Sequence, residues 1–267
     1  MPLAIICDPD TPIEPVIHEL VRQNVAHELK ENGTRRELWV DDPALVDGVK
    51  KYYQTYRHSQ QHSLSVANLR SLPITTAVLV VTLVVALLTQ LGEQRQDWFL
   101  MARLQYYPRD WFLYDGLWSI WHAISPIFLH FSAQHLIFNG LMFWYLGGLL
   151  ERATGRGFFV IMLLVLALAG NVSQLLVAGP LFGGLSGVVY GFMGFACVYQ
   201  LYVLPLGIAK GLFYLAGVWL LLGISGVFSA MGLFSVANAA HLGGLLSGLV
   251  MSGLYVARQR LRVKDED

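Results

Sequence analysis

The chain has 267 residues, of which 55% are hydrophobic and 13% charged, with 18 Lys and Arg balanced by 18 Asp and Glu. Zero formal net charge and the lack of any continuous basic block exclude a nucleic-acid partner. Apolar residues gathered in long blocks exclude an ordinary soluble globule and fit a polytopic membrane protein.

Cys7 sits near the N-terminus and Cys197 inside an apolar run; both read as free thiols rather than as a disulfide scaffold or a Cys-based zinc site. The N-terminus has no basic n-region, and its short apolar stretch runs straight into Asp8, Asp10 and Glu14. No cleavable signal peptide is expected, and residues 1–70 are expected to remain in the cytoplasm.

Residues 1–60 read as a small α+β cytoplasmic domain, with strands at Leu3–Cys7 and 37–40 and helices at 13–24 and 43–56. Asp41 or Asp42 is available as a cap for the second helix. A polar stretch over residues 58–70 leads out of this domain, and the linker is set at 61–72. The membrane domain occupies 73–257 and a cytoplasmic tail 258–267.

A helix crosses the hydrocarbon core with about 17 to 25 apolar residues. Stretches of that kind occur at 74–91, 133–150, 158–177, 186–203, 206–227 and 239–256, giving an all-α bundle of six transmembrane helices. The division between the fourth and fifth rests only on Pro205 and Lys210. Lys50, Lys51, Arg57 and Arg70 precede the first span, Arg152 and Arg156 separate the second from the third, and Arg258, Arg260, Arg262 and Lys264 follow the last. The positive-inside rule then places both termini in the cytoplasm. Segment 92–131 carries Trp98, Tyr106, Tyr107, Trp111, Trp118 and Trp121 and is expected to lie, partly helical, in the outer interface.

Polar groups inside a membrane are costly, so those present are functional candidates. Ser186 follows a glycine-rich loop, Gly183-Gly184-Leu185, at the start of an apolar helix, where backbone N–H groups are free. A serine there can attack a carbonyl while its own N–H holds the oxyanion; the bland alternative is helix-start packing. His241, near the start of the last span, needs a partner if it is buried. Ser186, Tyr190 and Gly194 share one helix face, and Ala240, Gly244 and Gly248 recur every four residues on the last span, so the two backbones can approach closely. His241 could alternatively bond a backbone carbonyl.

His135 and Asn139 lie one turn apart and could complete an oxyanion hole or simply join helices. Metal binding by His130 and His135 is a weaker option, because a spacing of five is poor on one helix and no HExxH pattern is present. No cofactor or metal is expected. No Asp lies within a span and Glu151 sits at the cytoplasmic end of the second, which disfavours an aspartyl protease and a Ser-His-Asp triad and leaves a Ser-His dyad.

Taken in order, His130-Phe131-Ser132 with His135 and Asn139, Tyr145-Leu146-Gly147-Gly148 with Glu151, Gly179-Pro180, Gly183 to Gly187 with Tyr190, and Ala237-Asn238 with His241 resemble the rhomboid family of intramembrane serine proteases, and specifically its bacterial members. The resemblance covers roughly residues 73–257. It implies a multi-pass protein of the bacterial inner membrane that cleaves single-span membrane proteins in or near their transmembrane segment, within the lipid bilayer. It implies Ser186 as nucleophile, His241 as general base, and His135, Asn139 and the Ser186 N–H as oxyanion hole. Tyr190 would pack under the histidine, Gly184 would support the loop, and Gln174 would hold water. It also implies that the fifth span and loop 229–237 move to admit substrate sideways. The chain departs from the family at Trp121-His122, where a Trp-Arg pair is usual, and at Pro126, where a histidine is usual. Neither residue is expected to carry the chemistry. No feature specifies an oligomer.

Two other readings compete. A catalytically silent rhomboid-like protein that binds or escorts membrane proteins has no physical need to keep both Ser186 and His241. A transporter would place paired charges in its spans, and none is present.

Overall fold

The computed structural model describes the chain apart from residues 9–12, 32, 34, 65–71, 93–117, 204–205, 232–235 and 266–267. Two compact units emerge, one built on Met1–Val66 and the other on Ala67–Val203 with Ile208–Asp267.

The first unit contains β1 (Leu3–Cys7), α1 (Glu14–Arg22), β2 (His27–Glu31), β3 (Arg36–Val40) and α2 (Val46–Leu64). The sheet is antiparallel in the order β1-β3-β2. Leu38 and Val40 on the central strand alternate into the core, where they meet Val16 and Leu20 from one face of α1 and Tyr53 from α2. Asp42 accepts a hydrogen bond from the Ala44 N–H (2.9 Å) and so caps the turn Pro43–Leu45 that leads into α2. Strand β2, HELKE, was not expected from the sequence: beside its backbone ladder to β3 it adds Lys30 over the Trp39 ring and a Glu31–Arg36 ion pair, and Leu29 is its one aliphatic residue, so no apolar alternation marks it. Helix α2 continues to Leu64, past residue 58 where the polar stretch begins.

The second unit is helical: α3 (Pro73–Leu88), α4 (Trp118–Ile124), α5 (Ala133–Thr154), α6 (Arg156–Ala178), α7 (Ser186–Tyr202), α8 (Lys210–Ile224), α9 (Val227–Ala230) and α10 (Asn238–Asp265). By length and composition, α6 and residues Asn238–Arg258 of α10 are long and apolar enough to cross a membrane, and α3 and α8 are shorter apolar helices. Of the aromatic segment 92–131, Trp98, Tyr106, Tyr107 and Trp111 lie outside the described residues. Its described end contains α4 and the turn Ser125–Phe128, with Trp121 exposed and His122 and Pro126 buried.

Helix α7 is the centre of this unit, buried continuously from Gly187 to Ala196. A helix apolar on every side needs neighbours on every side. Helix α10 packs along it most extensively, and α5 and α6 also flank it. Helix α8 differs, burying only Leu220 and Gly223.

Candidate active site

Ser186 opens α7, so its N–H belongs to the first turn, where no intrahelical acceptor is available. The preceding loop has little freedom. Gly184 has a φ of 117°, a left-handed conformation that favours glycine, and its N–H donates to the Pro126 carbonyl (3.0 Å). A Cβ on Gly183 would come within 2.7 Å of the Leu129 Cβ. Pro126, one of the departures from the family pattern, thus contributes a backbone acceptor that fixes the loop before Ser186.

His241 lies in the first turn of α10, 5% exposed, with Nε2 2.8 Å from Ser186 Oγ. The glycine faces bring these atoms together. A Cβ at Gly244 would collide with the Gly187 carbonyl, one at Gly248 with the Gly191 carbonyl, and one at Gly187 would stand 3.3 Å from the Ala240 carbonyl. Only hydrogen at these positions allows the two backbones this approach.

The His241 ring stacks on Tyr190, one turn below Ser186, with centroids 4.5 Å apart and planes at 24°. The Tyr190 hydroxyl donates to the Ala216 carbonyl of α8 (3.0 Å). Nδ1 of His241 is buried without a protein partner among the described residues. The imidazole is therefore oriented by the tyrosine face rather than by a carboxylate. Glu151 lies elsewhere: its carboxylate accepts from the N–H groups of Ile74 (3.0 Å) and Thr75 (2.8 Å) and from the Thr75 hydroxyl (2.6 Å).

His135 and Asn139 come from α5, whose first turn is capped by Ser132 accepting from the His135 N–H (3.2 Å). A Cβ built on Gly184 would stand 2.8 Å from His135 Nε2 and 3.2 Å from Asn139 Nδ2, so both side chains border the loop two residues before Ser186. The structure brings His241 against Ser186 and Tyr190, and His135 and Asn139 against Gly184, two residues before Ser186. Gln174, which the resemblance implies would hold water, accepts at Oε1 from the Ala240 N–H (3.1 Å), tying α6 to the residue before His241.

His130, weighed in the sequence only as a weak metal ligand, and Asn238, a motif residue given no role there, are two further polar neighbours. Nδ1 of His130 lies 3.2 Å from the Phe128 carbonyl and its Nε2 3.2 Å from Asn139 Nδ2. Although its ring centroid is 4.9 Å from that of His135, both His130 nitrogens are already engaged. No group of three His, Cys, Asp or Glu that could hold a metal occurs among the described residues. Asn238 donates from Nδ2 to the Gly223 carbonyl of α8 (2.8 Å). Its signals in the sequence were its place one turn before His241 and its membership of the Ala237-Asn238 motif.

A serine hydroxyl on an imidazole nitrogen at a helix start, after a loop bordered by two further polar side chains, is the kind of arrangement that serine hydrolases use. Residues 117–258 match the rhomboid domain. The chain is 32% identical over 258 residues to the rhomboid protease GlpG of Yersinia enterocolitica, covering 87% of this chain and 89% of that relative. It is 29% identical over 261 residues to that of Pectobacterium atrosepticum, with 86% and 88% covered, and 39% identical over 183 residues to that of Serratia proteamaculans, with 67% and 62% covered. The chain belongs to the rhomboid family of intramembrane serine proteases.

Proposed function

We propose that the chain is an intramembrane serine endopeptidase that cleaves single-span membrane proteins within or near their transmembrane segment, with Ser186 and His241 as its catalytic dyad. The observation that carries this reading is the 2.8 Å separation of Ser186 Oγ and His241 Nε2. In the reaction, Oγ attacks the scissile carbonyl as its proton passes to Nε2. The oxyanion that forms is held by the Ser186 N–H, His135 and Asn139. His241 then protonates the departing amine, leaving an ester on Ser186. Water, deprotonated by the same nitrogen, attacks the ester and regenerates the hydroxyl.

In the same reading α3, α5, α6, α7, α8 and α10 are the six spans of the membrane domain at 73–257, preceded by the cytoplasmic domain at 1–60 and its linker at 61–72. Both termini face the cytoplasm, in accord with the basic residues beside the spans. Substrate enters past α8. This is supported by the slight burial of that helix and by the two side chains, Tyr190 and Asn238, that hydrogen-bond its carbonyls from the catalytic helices.

The test is cleavage of a single-span substrate by the reconstituted chain. A serine-directed fluorophosphonate should label Ser186 and abolish cleavage together, and chelators should leave cleavage unchanged. Loss of cleavage with chelation would revive the metal reading of His130 and His135.

A further inference from the structure

His130 is fully buried, and its partners among the described residues are Phe128, Asn139 and His135 rather than the dyad. Its two hydrogen bonds determine one another. The Phe128 carbonyl can only accept, so Nδ1 must carry the proton. The neutral ring then offers a bare Nε2, which must accept from the Asn139 amide. This fixes which end of the Asn139 side chain points where. Nδ2 is held on the side that borders His130 and Gly184, and the carbonyl oxygen is turned away. With the amide flipped, an acceptor would face the loop before Ser186, and any oxyanion there would be repelled.

We propose that His130 is a positioning residue for the oxyanion hole: through the relay Phe128 carbonyl, His130, Asn139 it fixes the amide of Asn139 with its donor toward the reacting carbonyl. The inference rests on the reading of Asn139 as an oxyanion donor. Neither nitrogen of His130 is left for a proton or a metal, and its effect on the reaction passes entirely through Asn139.

The test combines two substitutions with a double-mutant cycle. His130→Asn puts an amide donor near the place of Nδ1 but leaves nothing at Nε2 to accept from Asn139. His130→Gln puts an amide oxygen near the place of Nε2. In reconstituted enzyme His130→Asn should lower kcat about tenfold with KM within about twofold, a fraction of what deleting an oxyanion donor costs. His130→Gln should recover most of the loss. In an Asn139→Ala background, itself reduced in kcat, His130→Asn should have no further effect.

An equal drop in both backgrounds, or failure of His130→Gln to recover activity while folded, would overturn the relay. Full activity of Asn139→Ala would instead overturn the oxyanion reading and the relay with it. A measurement on the wild type covers the case of a variant that does not fold: the nitrogen-15 spectrum of His130 should show Nδ1 protonated and Nε2 bare, and the opposite tautomer would refute the relay.

Discussion

Gly244 of α10 lies against the carbonyl oxygen of Gly187 on α7 with no room for a methyl group between them. This contact sets the separation of the helices that carry Ser186 and His241. Gly244→Ala should therefore push α10 outward, lengthen the 2.8 Å dyad contact and lower kcat by at least about tenfold, since small misplacements of reacting groups are costly. Peptide cleavage and thermal melting check it. Gly253, on the same helix with nothing within 4 Å of an added Cβ, should accept alanine with little change.

Gly184 is constrained in two independent ways, by its φ of 117° and by His135 and Asn139, which would meet any Cβ there. Gly184→Ala should lower kcat more than it lowers the melting temperature. Wild-type turnover by this variant would show that the loop and the two side chains do not form one functional unit.

How much of this was readable in the sequence depends on the kind of interaction. Strong apolar blocks and glycine spacing marked α6, α7 and α10, and motif order marked Ser186, His241, His135 and Asn139. Backbone acceptors carry no side-chain signature. The Pro126 carbonyl that holds Gly184 and the Phe128 carbonyl that sets the His130 tautomer therefore became visible only in three dimensions. Strand β2 was hidden for the same reason, being held by pairing to β3 rather than by an apolar pattern.

Glu151 is 3% exposed and takes three hydrogen bonds from Ile74 and Thr75 at the start of α3. A carboxylate suits the free N–H groups of a helix N-terminus, and a buried set of this kind is strongly felt when broken. Glu151→Ala should destabilise the helical unit by about 2 kcal/mol. The dyad should still react with a fluorophosphonate at a temperature where the protein stays folded. Unchanged stability in denaturant titration would contradict the capping role.

In the N-terminal unit, Glu14 starts α1. Its own backbone N–H, opposed by slight burial and aided by the hydrogen bond from Arg36 (3.1 Å), holds its carboxyl below the usual 4.5. A carboxyl whose folded pKa is depressed stabilises the fold above its unfolded pKa and loses that effect as pH falls through the folded value. Hydrogen-exchange protection of α1 in the full chain should thus weaken as pH falls below the usual carboxylate range. The weakening should be smaller in Arg36→Gln. An equal pH dependence in both proteins would remove Arg36 from the explanation.

The most direct test of the central claim is to reconstitute the purified chain in lipid with a single-span membrane protein and compare it with Ser186→Ala and His241→Ala. Cleavage of the substrate by the wild type, with a loss of at least about a thousandfold in each variant while both stay folded, is the expected result. Undiminished cleavage by Ser186→Ala would contradict the dyad.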